Sequence, residues 1–401
     1  MKSEVTRSMN KVDVIIIGAG ASGLFCAMEA ARRGRQVIVF DHAASPGRKI
    51  LASGGGRCNF TNYEVDAAHF LGANPHFCKS ALNRYNQWNF LELVNKYKIR
   101  FHEREHGQLF CDQSASEILA MLLDQCHKTG VHILTSQSIT DITKSGEGEF
   151  VVSADLVDYA AASLVIASGG LSMSNLGASD LGYQLAKKFG HSIVATRPGL
   201  VPLTLSAQDK ELLTPLSGIA IPATVTCRKV SFTENLLFTH RGLSGPVILQ
   251  ISNYWHPGDP ITIDLLPGSD LLAELKEAKK SRPQRQLKSL LQKKLPNRLV
   301  TTLLSEELLS RPLQIIAQDD LVPVCQQLQQ WTLRPAGSEG YKSAEVTVGG
   351  VNTAEVSSKT MESRKVAGLY FVGEVLDVTG WLGGYNLQWA WSSGWCAGQY
   401  V

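Results

Sequence analysis

The sequence predicts an α/β protein: a Rossmann-like dinucleotide-binding domain made from both chain ends, interrupted by a β-rich segment and then a helical one. Three observations predict it. The stretch VDVIIIGAGASGLFCAMEAARRGRQVIVFD, Val12 to Asp41, runs from an apolar segment through three glycines and an amphipathic segment into a second apolar one, the pattern of a βαβ unit. From about Arg197 strand-like runs separated by Pro, Gly and Asp take over, and from Ser269 to Gln330 leucines recur at helical spacing. Beyond residue 340 the chain returns to short apolar strands and a Gly-rich turn entering a helix. At 401 residues it exceeds the usual size of one core.

Gly18, Gly20 and Gly23 stand in G-x-G-x-x-G spacing between strand and helix. Gly18 serves the tight turn, Gly20 lets backbone approach a pyrophosphate, and Gly23 lets helix pack on strand. Ala21 and Ser22 open the helix, predicted from about Ser22 to Arg33, whose N-terminal N–H groups and partial positive charge face the phosphates. Asp41 follows Gly23 by eighteen residues, near the distance at which a carboxylate accepts from an adenosine ribose; His42 adjoins it. The competing reading is a buried crossover with an incidental Gly-rich turn.

SPGRKILASGGGRCNFTN (residues 45–62) is too rich in Gly, Ser and Asn for regular structure and predicts a long loop. In it Gly54, Gly55 and Gly56 let N–H groups converge on an anion or a ring edge, Arg48, Lys49 and Arg57 add positive charge, and Cys58 and Asn59 sit at the centre. A flexible surface turn is the alternative. One helix is predicted over 74–98, with Phe77, Tyr85, Trp88 and Phe90 among its core residues, then two short strands in 99–112 and a helix over 114–128. Strands recur at Val131 to Leu134, Phe150 to Ala154 and Ser163 to Ala167. The last ends in Ala167, Ser168, Gly169 and Gly170, a small-residue turn that admits a cofactor. A helix capped by Ser179 and stopped by Gly190 follows.

LVPLTL, AIPATVTC, SFTENLLFTH, GPVILQIS and DPITIDLL predict an inserted antiparallel β domain, a small barrel, over 196–268 and 331–339. The helical insert is 269–330, and 1–195 with 340–401 form the discontinuous domain. Lys276 to Arg298 carries nine basic residues against one acid, Glu277, a local +8 within a chain of net +3. A solvated helix face would explain it as well. Near the C-terminus Gly373 and Glu374 end a strand, while Gly383, Gly384, Tyr385 and Asn386 open a helix. Such a return would supply ribityl contacts and a helix N-terminus close to an isoalloxazine. It favours FAD over NAD, because a nicotinamide enzyme needs no such return and no second G-x-G-x-x-G is visible. Eight cysteines lack any C-x-x-C pair, which fits reduced thiols, and no zinc site suggests itself. The polar N-terminus and the early glycines predict neither signal peptide nor membrane span, hence a cytoplasmic protein.

IIIGAGASG, PGRKILASGGGRCNFTN, NPHFCKSAL, LLFTHRGLSGP and GEVLDVTGWLGGYNLQWAWSSG together closely resemble the bacterial BaiN-like (YhiN-type) flavoprotein family over essentially the full length. The resemblance implies the two-dinucleotide-binding-domain flavoprotein architecture, with a β-barrel like those of translation factors and a small helical insert. It implies FAD contacts at Gly18, Gly20, Gly23, Asp41, the Arg48 to Asn59 loop, Gly373, Glu374 and the Gly383 to Asn386 turn. Glu374 stands where many FAD enzymes have Asp. NAD(P)H as electron donor rests on the resemblance alone.

The family is associated with bile-acid metabolism, amine oxidation and dihydrouridine formation in large-subunit ribosomal RNA, and chemistry ranks these. The first reading is hydride transfer to C6 of a uridine with a proton delivered to C5, the +8 segment meeting RNA phosphates. Cys58, beside Arg57, is the first candidate for the acid and Cys111 the second, since a thiol titrates not far above neutral pH. Either is otherwise a packed thiol. His240 and Arg241, in THRGLSGP, could orient a carbonyl or phosphate, or His240 could be an interior residue near a helix cap. A small-molecule oxidase or reductase acting on amines or enones is the second reading. A ribosome-associated protein with structural FAD is the third.

Overall fold

The computed structural model describes residues 9–155 and 157–401. They form two compact units, the chain up to Arg197 together with Val346–Val401, and Pro198–Glu345. In the first, β1 (Met9–Ile17), α1 (Ala21–Arg32) and β2 (Val37–Phe40) make the βαβ unit, with Val14 opposite Val37 and Ile17 opposite Phe40 in a parallel pair. The 45–62 stretch is not the irregular loop expected. It contains α2 (Arg48–Ala52), a 3-10 turn over Ser53–Gly56 and β3 (Asn59–Asn62). Between Gly47 and Ser53, RKILA has no helix breaker, and burial of Ile50 anchors that one turn.

After β4 (Phe70–Leu71) the single helix expected over 74–98 is two, α3 (Lys79–Arg84) and α4 (Gln87–Lys96). Asn86 separates them: its side chain accepts from Trp88 and Asn89 N–H groups, and the Asn89 side chain accepts from Asn86 N–H. This cap resets the helical phase. Gln87, Phe90, Leu91 and Val94 turn inward, and Trp88, expected in the core, is 57% exposed.

β5 (Phe101–Glu103) and β6 (Gln108–Cys111) join β3 in a small antiparallel sheet, β3-β6-β5. Then come α5 (Ser116–Lys128), β7 (His132–Leu134), β8 (Ile139–Lys144), β9 (Phe150–Ala154) and β10 (Val157–Ile166). The main sheet runs β7-β2-β1-β10-β9-β8, parallel from β7 to β10 and antiparallel beyond. Its centre is covered on both faces, so Val14 to Ile17 are apolar without alternation. α6 (Leu181–Lys188) starts after Asp180 without a side-chain cap, so Ser179 does not cap it, and Gly190 at φ +81 follows its end. β11 (Ile193–Gly199) leads out of the unit.

The second unit holds β12 (Leu203–Thr204), α7 (Ala207–Leu213), β13 (Ala220–Cys227), β14 (Val230–Phe238), β15 (Gly242–Ser244), α8 (Pro246–Ser252) and β16 (Ile261–Asp264). It continues with α9 (Leu271–Ser281), α10 (Leu287–Leu291), α11 (Asn297–Leu303), α12 (Glu306–Ser310), α13 (Gln318–Gln329), β17 (Trp331–Leu333) and β18 (Gly337–Ser338). Its seven strands form one antiparallel sheet in the order β17-β16-β13-β14-β15-β12-β18. GPVILQIS, expected as a strand, is α8. Pro246 in its first turn fixes a helical φ, and Val247, Ile248 and Ile251 are buried. The helices share one unit with the sheet, Leu265 N–H donating to Leu328 O of α13.

The chain then re-enters the first unit through β19 (Val346–Val351), β20 (Leu369–Phe371), β21 (Thr379–Gly380) and α14 (Tyr385–Gly398). β20 lies parallel to β10, with Leu164 opposite Leu369. α14 packs directly on α1: a Cβ at Gly394 would stand 2.6 Å from Ser22 O, and one at Gly398 2.6 Å from the Glu29 Cβ. Two glycines one helical turn apart thus let the C-terminal helix lie against the helix of the βαβ unit.

Candidate functional site

Where β1 passes into α1, two of the three glycines are fixed by the protein and one is not. A Cβ at Gly18 (φ +111) would stand 2.4 Å from Ala167 O, and one at Gly23 1.9 Å from Gly18 O. Gly20 has an ordinary φ of −84 and nothing within 4 Å of where its Cβ would be. Its emptiness therefore serves something outside the chain. No side chain caps α1, so the N–H groups of Ala21 and Ser22 stand at an uncapped helix start, an anion-binding geometry. Asp41 accepts from Ala19 N–H through Oδ2 at 2.7 Å and from Ala43 N–H through Oδ1 at 2.8 Å. Each oxygen keeps a second lone pair for a ribose hydroxyl. His42 is exposed beside it, 3.6 Å from Asp41 Oδ1. A Cβ at Gly177 would touch both His42 Nε2 at 2.8 Å and Arg48 Nη1 at 3.2 Å, so these two side chains share a patch.

Lys49 lies 325 positions from Glu374 in the chain, yet its Nζ is 2.8 Å from Glu374 Oε2. Ser172 Oγ accepts from the same Nζ at 2.9 Å and donates to Glu374 Oε1 at 2.7 Å, and Thr347 N–H donates to Oε1 at 2.8 Å. Thr347 Oγ1 in turn accepts from Leu171 and Ser172 N–H. Burial alone would push the Glu374 carboxyl up; Lys49 and these hydrogen bonds outweigh it and hold the group below the ordinary carboxylate value. The sequence marked Lys49 and Glu374 but missed Ser172 and Thr347. Ser172 follows the Ala167 to Gly170 turn and could have been counted with it. Thr347 sits inside an apolar strand and carries no signal.

Gly373 is clamped, its N–H donating to Ser393 Oγ and its O accepting from Trp389 Nε1; Ser22 stands so close that a Cβ at Gly373 would lie 2.5 Å from Ser22 Oγ. The turn before α14 passes through Gly383 (φ +118) and Gly384 (φ +94). Asn386 braces it, its Oδ1 accepting from Gly380 N–H and its Nδ2 donating to Gly380 O and Trp381 O. From β3, Asn62 Nδ2 donates to Gly383 O. The Asn59 amide, turned so that both ends are satisfied, accepts from Gly384 N–H and donates to Leu109 O and Thr61 O. Asn59 and Asn386 thus shape the turn that leads into α14, with Tyr385 at the first helical position. Gly54, Gly55 and Gly56 run through left-handed φ values of +57, +64 and +86, a backbone only glycine adopts cheaply three times over. Arg57 beside them is exposed. Ser168 and Gly169 follow β10, and a Cβ at Gly169 (φ +73) would stand 3.8 Å from Glu374 Oε2 and 4.0 Å from Lys49 Nζ. A split cradle with a vacant-sided glycine, an uncapped helix start and a paired acid at the second strand's end fits a dinucleotide such as FAD.

The thiols do not fit their expected role. Cys58 and Cys111 are fully buried in the apolar core, and burial pushes each up to about 12. Cys58 instead closes the glycine run, its N–H donating to Ser53 O at 3.0 Å with φ at +48. His240 and Arg241 lie in the second unit on an exposed turn, held by Thr239 Oγ1, which accepts from Arg241 and Gly242 N–H. His240 is not an interior residue, and Arg241 reaches Glu339 at 3.8 Å. Of the Lys276 to Arg298 segment, Lys294 pairs with Glu274 and Lys288 with Glu306, both outside it, while Lys280, Arg282, Lys293 and Arg298 are exposed and form no ion pair among the described residues. The free charge of the segment is therefore below its count. Among the described residues no group of three or more His, Cys, Asp or Glu could hold a metal, and no helix is long and apolar enough to cross a membrane.

The family described as HI0933-like protein Rossmann domain matches residues 12–400. The chain is 50% identical over 396 residues, 98% of each chain, to an Escherichia coli protein named ribosomal RNA dihydrouridine synthase. It is 32% identical over 414 residues, again 98% of each, to a Clostridium scindens protein named 3-dehydro-bile acid delta(4,6)-reductase. The fold is shared with a quinol-fumarate reductase structure at TM-score 0.50 and 16% identity, covering 98% of this chain and 71% of that one. The chain belongs to the HI0933-like Rossmann family.

Proposed function

We propose that this protein is an FAD-dependent oxidoreductase that reduces a uridine of large-subunit ribosomal RNA to dihydrouridine. The observation that carries the reading is 50% identity, over 98% of both chains, to a protein named for that activity, in a chain whose split cradle fits the cofactor. The substrate gains two electrons and two hydrogens across C5=C6 of the uracil ring. FAD, reduced by NAD(P)H, would supply the hydride for C6 when bound. Gly18, Gly20, Gly23 and Asp41 would hold the adenosine diphosphate half, and Gly373, Glu374 and the turn braced by Asn59 and Asn386 the ribityl and ring half. An RNA substrate of this kind places the protein in the cytoplasm. Both relatives named above are called after removal of a double bond, so the 32% identical reductase favours a second reading, reduction of a small enone. Purified yellow protein with NADPH or NADH, offered unmodified ribosomal RNA or a steroid enone, separates the two by which one oxidises the nicotinamide.

The proton for C5 requires a donor other than the buried thiols. His69 is a better candidate. Its ring packs against Trp381 at 4.7 Å and Tyr385 at 4.9 Å, residues that flank the Gly383–Gly384 turn, and its Nδ1 is buried with no hydrogen-bond partner among the described residues. Cys58→Ala is expected to cost about 1 kcal/mol of stability through lost packing and to leave turnover intact. His69→Gln should stay yellow and bind RNA while kcat falls roughly a hundredfold, within the range for losing a general acid. The reverse pattern in the two variants would return the role to the thiol.

The exposed cations of the second unit are proposed to contact RNA phosphate. Replacing Lys280, Arg282, Lys293 and Arg298 together with Gln should weaken RNA binding and flatten its salt dependence by up to about 3 in log–log slope. Binding with an unchanged slope would show that the segment is a solvated face.

A further inference from the structure

Trp88 has no part in the flavin cradle and none in the core. It is 57% exposed, and its inner face stacks on Tyr63 with ring centroids 5.5 Å apart and planes inclined by 24°. An exposed indole held flat by a second aromatic ring is a platform, since its orientation is already fixed and its outer face is bare. Beside it is a cavity of about 580 Å³ floored by Phe70 and Leu82, within the size of small-molecule sites. His76, Lys79 and Asn83 reach its rim, and their side chains make no hydrogen bond or ion pair among the described residues. The other polar residues there are committed to the fold, Asp66 through one of its two carboxylate oxygens. Asp66 caps the turn at Ala68, Asn86 caps α4, and Gln87 Nε2 donates to Tyr63 O. The uncommitted set is thus a flat aromatic face, an amide, an imidazole and an ammonium.

That set matches a nucleotide of single-stranded RNA: a π-face for the base, an amide for its edge, and an ammonium and an imidazole for the adjoining phosphate. The cavity is also tied to the flavin cradle. Phe70, on its floor, lies on β4, which pairs with β21 through Leu71 opposite Thr379 and Phe70 opposite Gly380, just before the turn that opens α14. We propose that this cavity binds an unstacked base of the ribosomal RNA next to the reacting uridine, with the base on Trp88, its edge on Asn83 and its phosphate on Lys79 and His76. The inference rests on the RNA reading above and adds to it a base-binding subsite in the first unit. Its effect is to hold the strand open so that the reacting uridine leaves the stack.

The test uses the full-length, flavin-loaded protein and large-subunit ribosomal RNA lacking dihydrouridine. Trp88→Ala should raise the Kd for this RNA about tenfold, as expected for losing one stacked base, with flavin content unchanged. Trp88→Phe should recover most of the affinity. Lys79→Ala should reduce the log–log salt slope by roughly 0.7, one phosphate contact on a single strand. Trp88→Ala that binds and modifies the RNA like the unsubstituted protein overturns the subsite and leaves the RNA reading standing. Loss of affinity for ribosomal particles but not for protein-free RNA also overturns it, in favour of a protein occupant. If the unsubstituted protein neither binds nor modifies the RNA, the RNA reading itself falls and the subsite with it.

Discussion

Gly20→Val is expected to give a folded, colourless protein. The position has an ordinary φ and open space where the side chain would grow, so the chain itself loses little. What the valine meets is the incoming pyrophosphate, at the one glycine of the three whose freedom the protein does not use. FAD affinity should fall at least a hundredfold, about 2.8 kcal/mol, measured by flavin absorbance after desalting and by titration. Gly23→Val is the contrasting variant. Its Cβ would stand 1.9 Å from Gly18 O, so it should fail to give soluble protein at all. A Gly20→Val protein that stays as yellow as the unsubstituted one would mean the cradle does not bind the pyrophosphate.

Lys49→Met is expected to destabilise the protein by about 2 kcal/mol, since it strips the paired cation from a largely buried carboxylate and leaves neutral donors. The pH dependence has a definite sign. The Glu374 carboxyl lies below its ordinary value of 4.5 in the folded protein. Its contribution is therefore complete above the unfolded carboxylate value and is lost as pH falls through the lower, folded one. Urea unfolding between neutral pH and about pH 3 should show the unsubstituted protein losing stability on acidification more steeply than Glu374→Gln. Parallel curves would remove the ion pair from the account. Flavin affinity should fall in both variants, because Glu374 loses the partner or the charge that orients it.

The parts of this protein legible in its sequence are those in which neighbouring residues act together. Residues 12–41 declare strand, turn, helix and strand because apolar period and glycine spacing agree over one continuous stretch. The C-terminal return was legible for the same reason. Misreadings arose where local pattern and three-dimensional context diverge. GPVILQIS has β-branched residues that suit a strand, yet Pro246 starts a helix with one buried face. Trp88 falls in phase with the aromatics before it only if the helix is continuous, and the Asn86 cap breaks that phase. Cys58 looked reactive because Arg57 precedes it, but the chain turns between them, with Cys58 at φ +48, and the thiol is buried in the core while Arg57 is exposed. The Lys49–Ser172–Thr347–Glu374 cluster joins four distant segments and has no periodic signature. Only the folded chain shows that one carboxylate gathers them.

The most direct test of the central claim is nucleoside mass spectrometry of large-subunit ribosomal RNA from cells lacking this protein, complemented either with the unsubstituted chain or with Gly20→Val. The account predicts that dihydrouridine is missing without the protein, returns with the unsubstituted chain and stays missing with the colourless variant. Dihydrouridine present at an unchanged level in cells without the protein would contradict it.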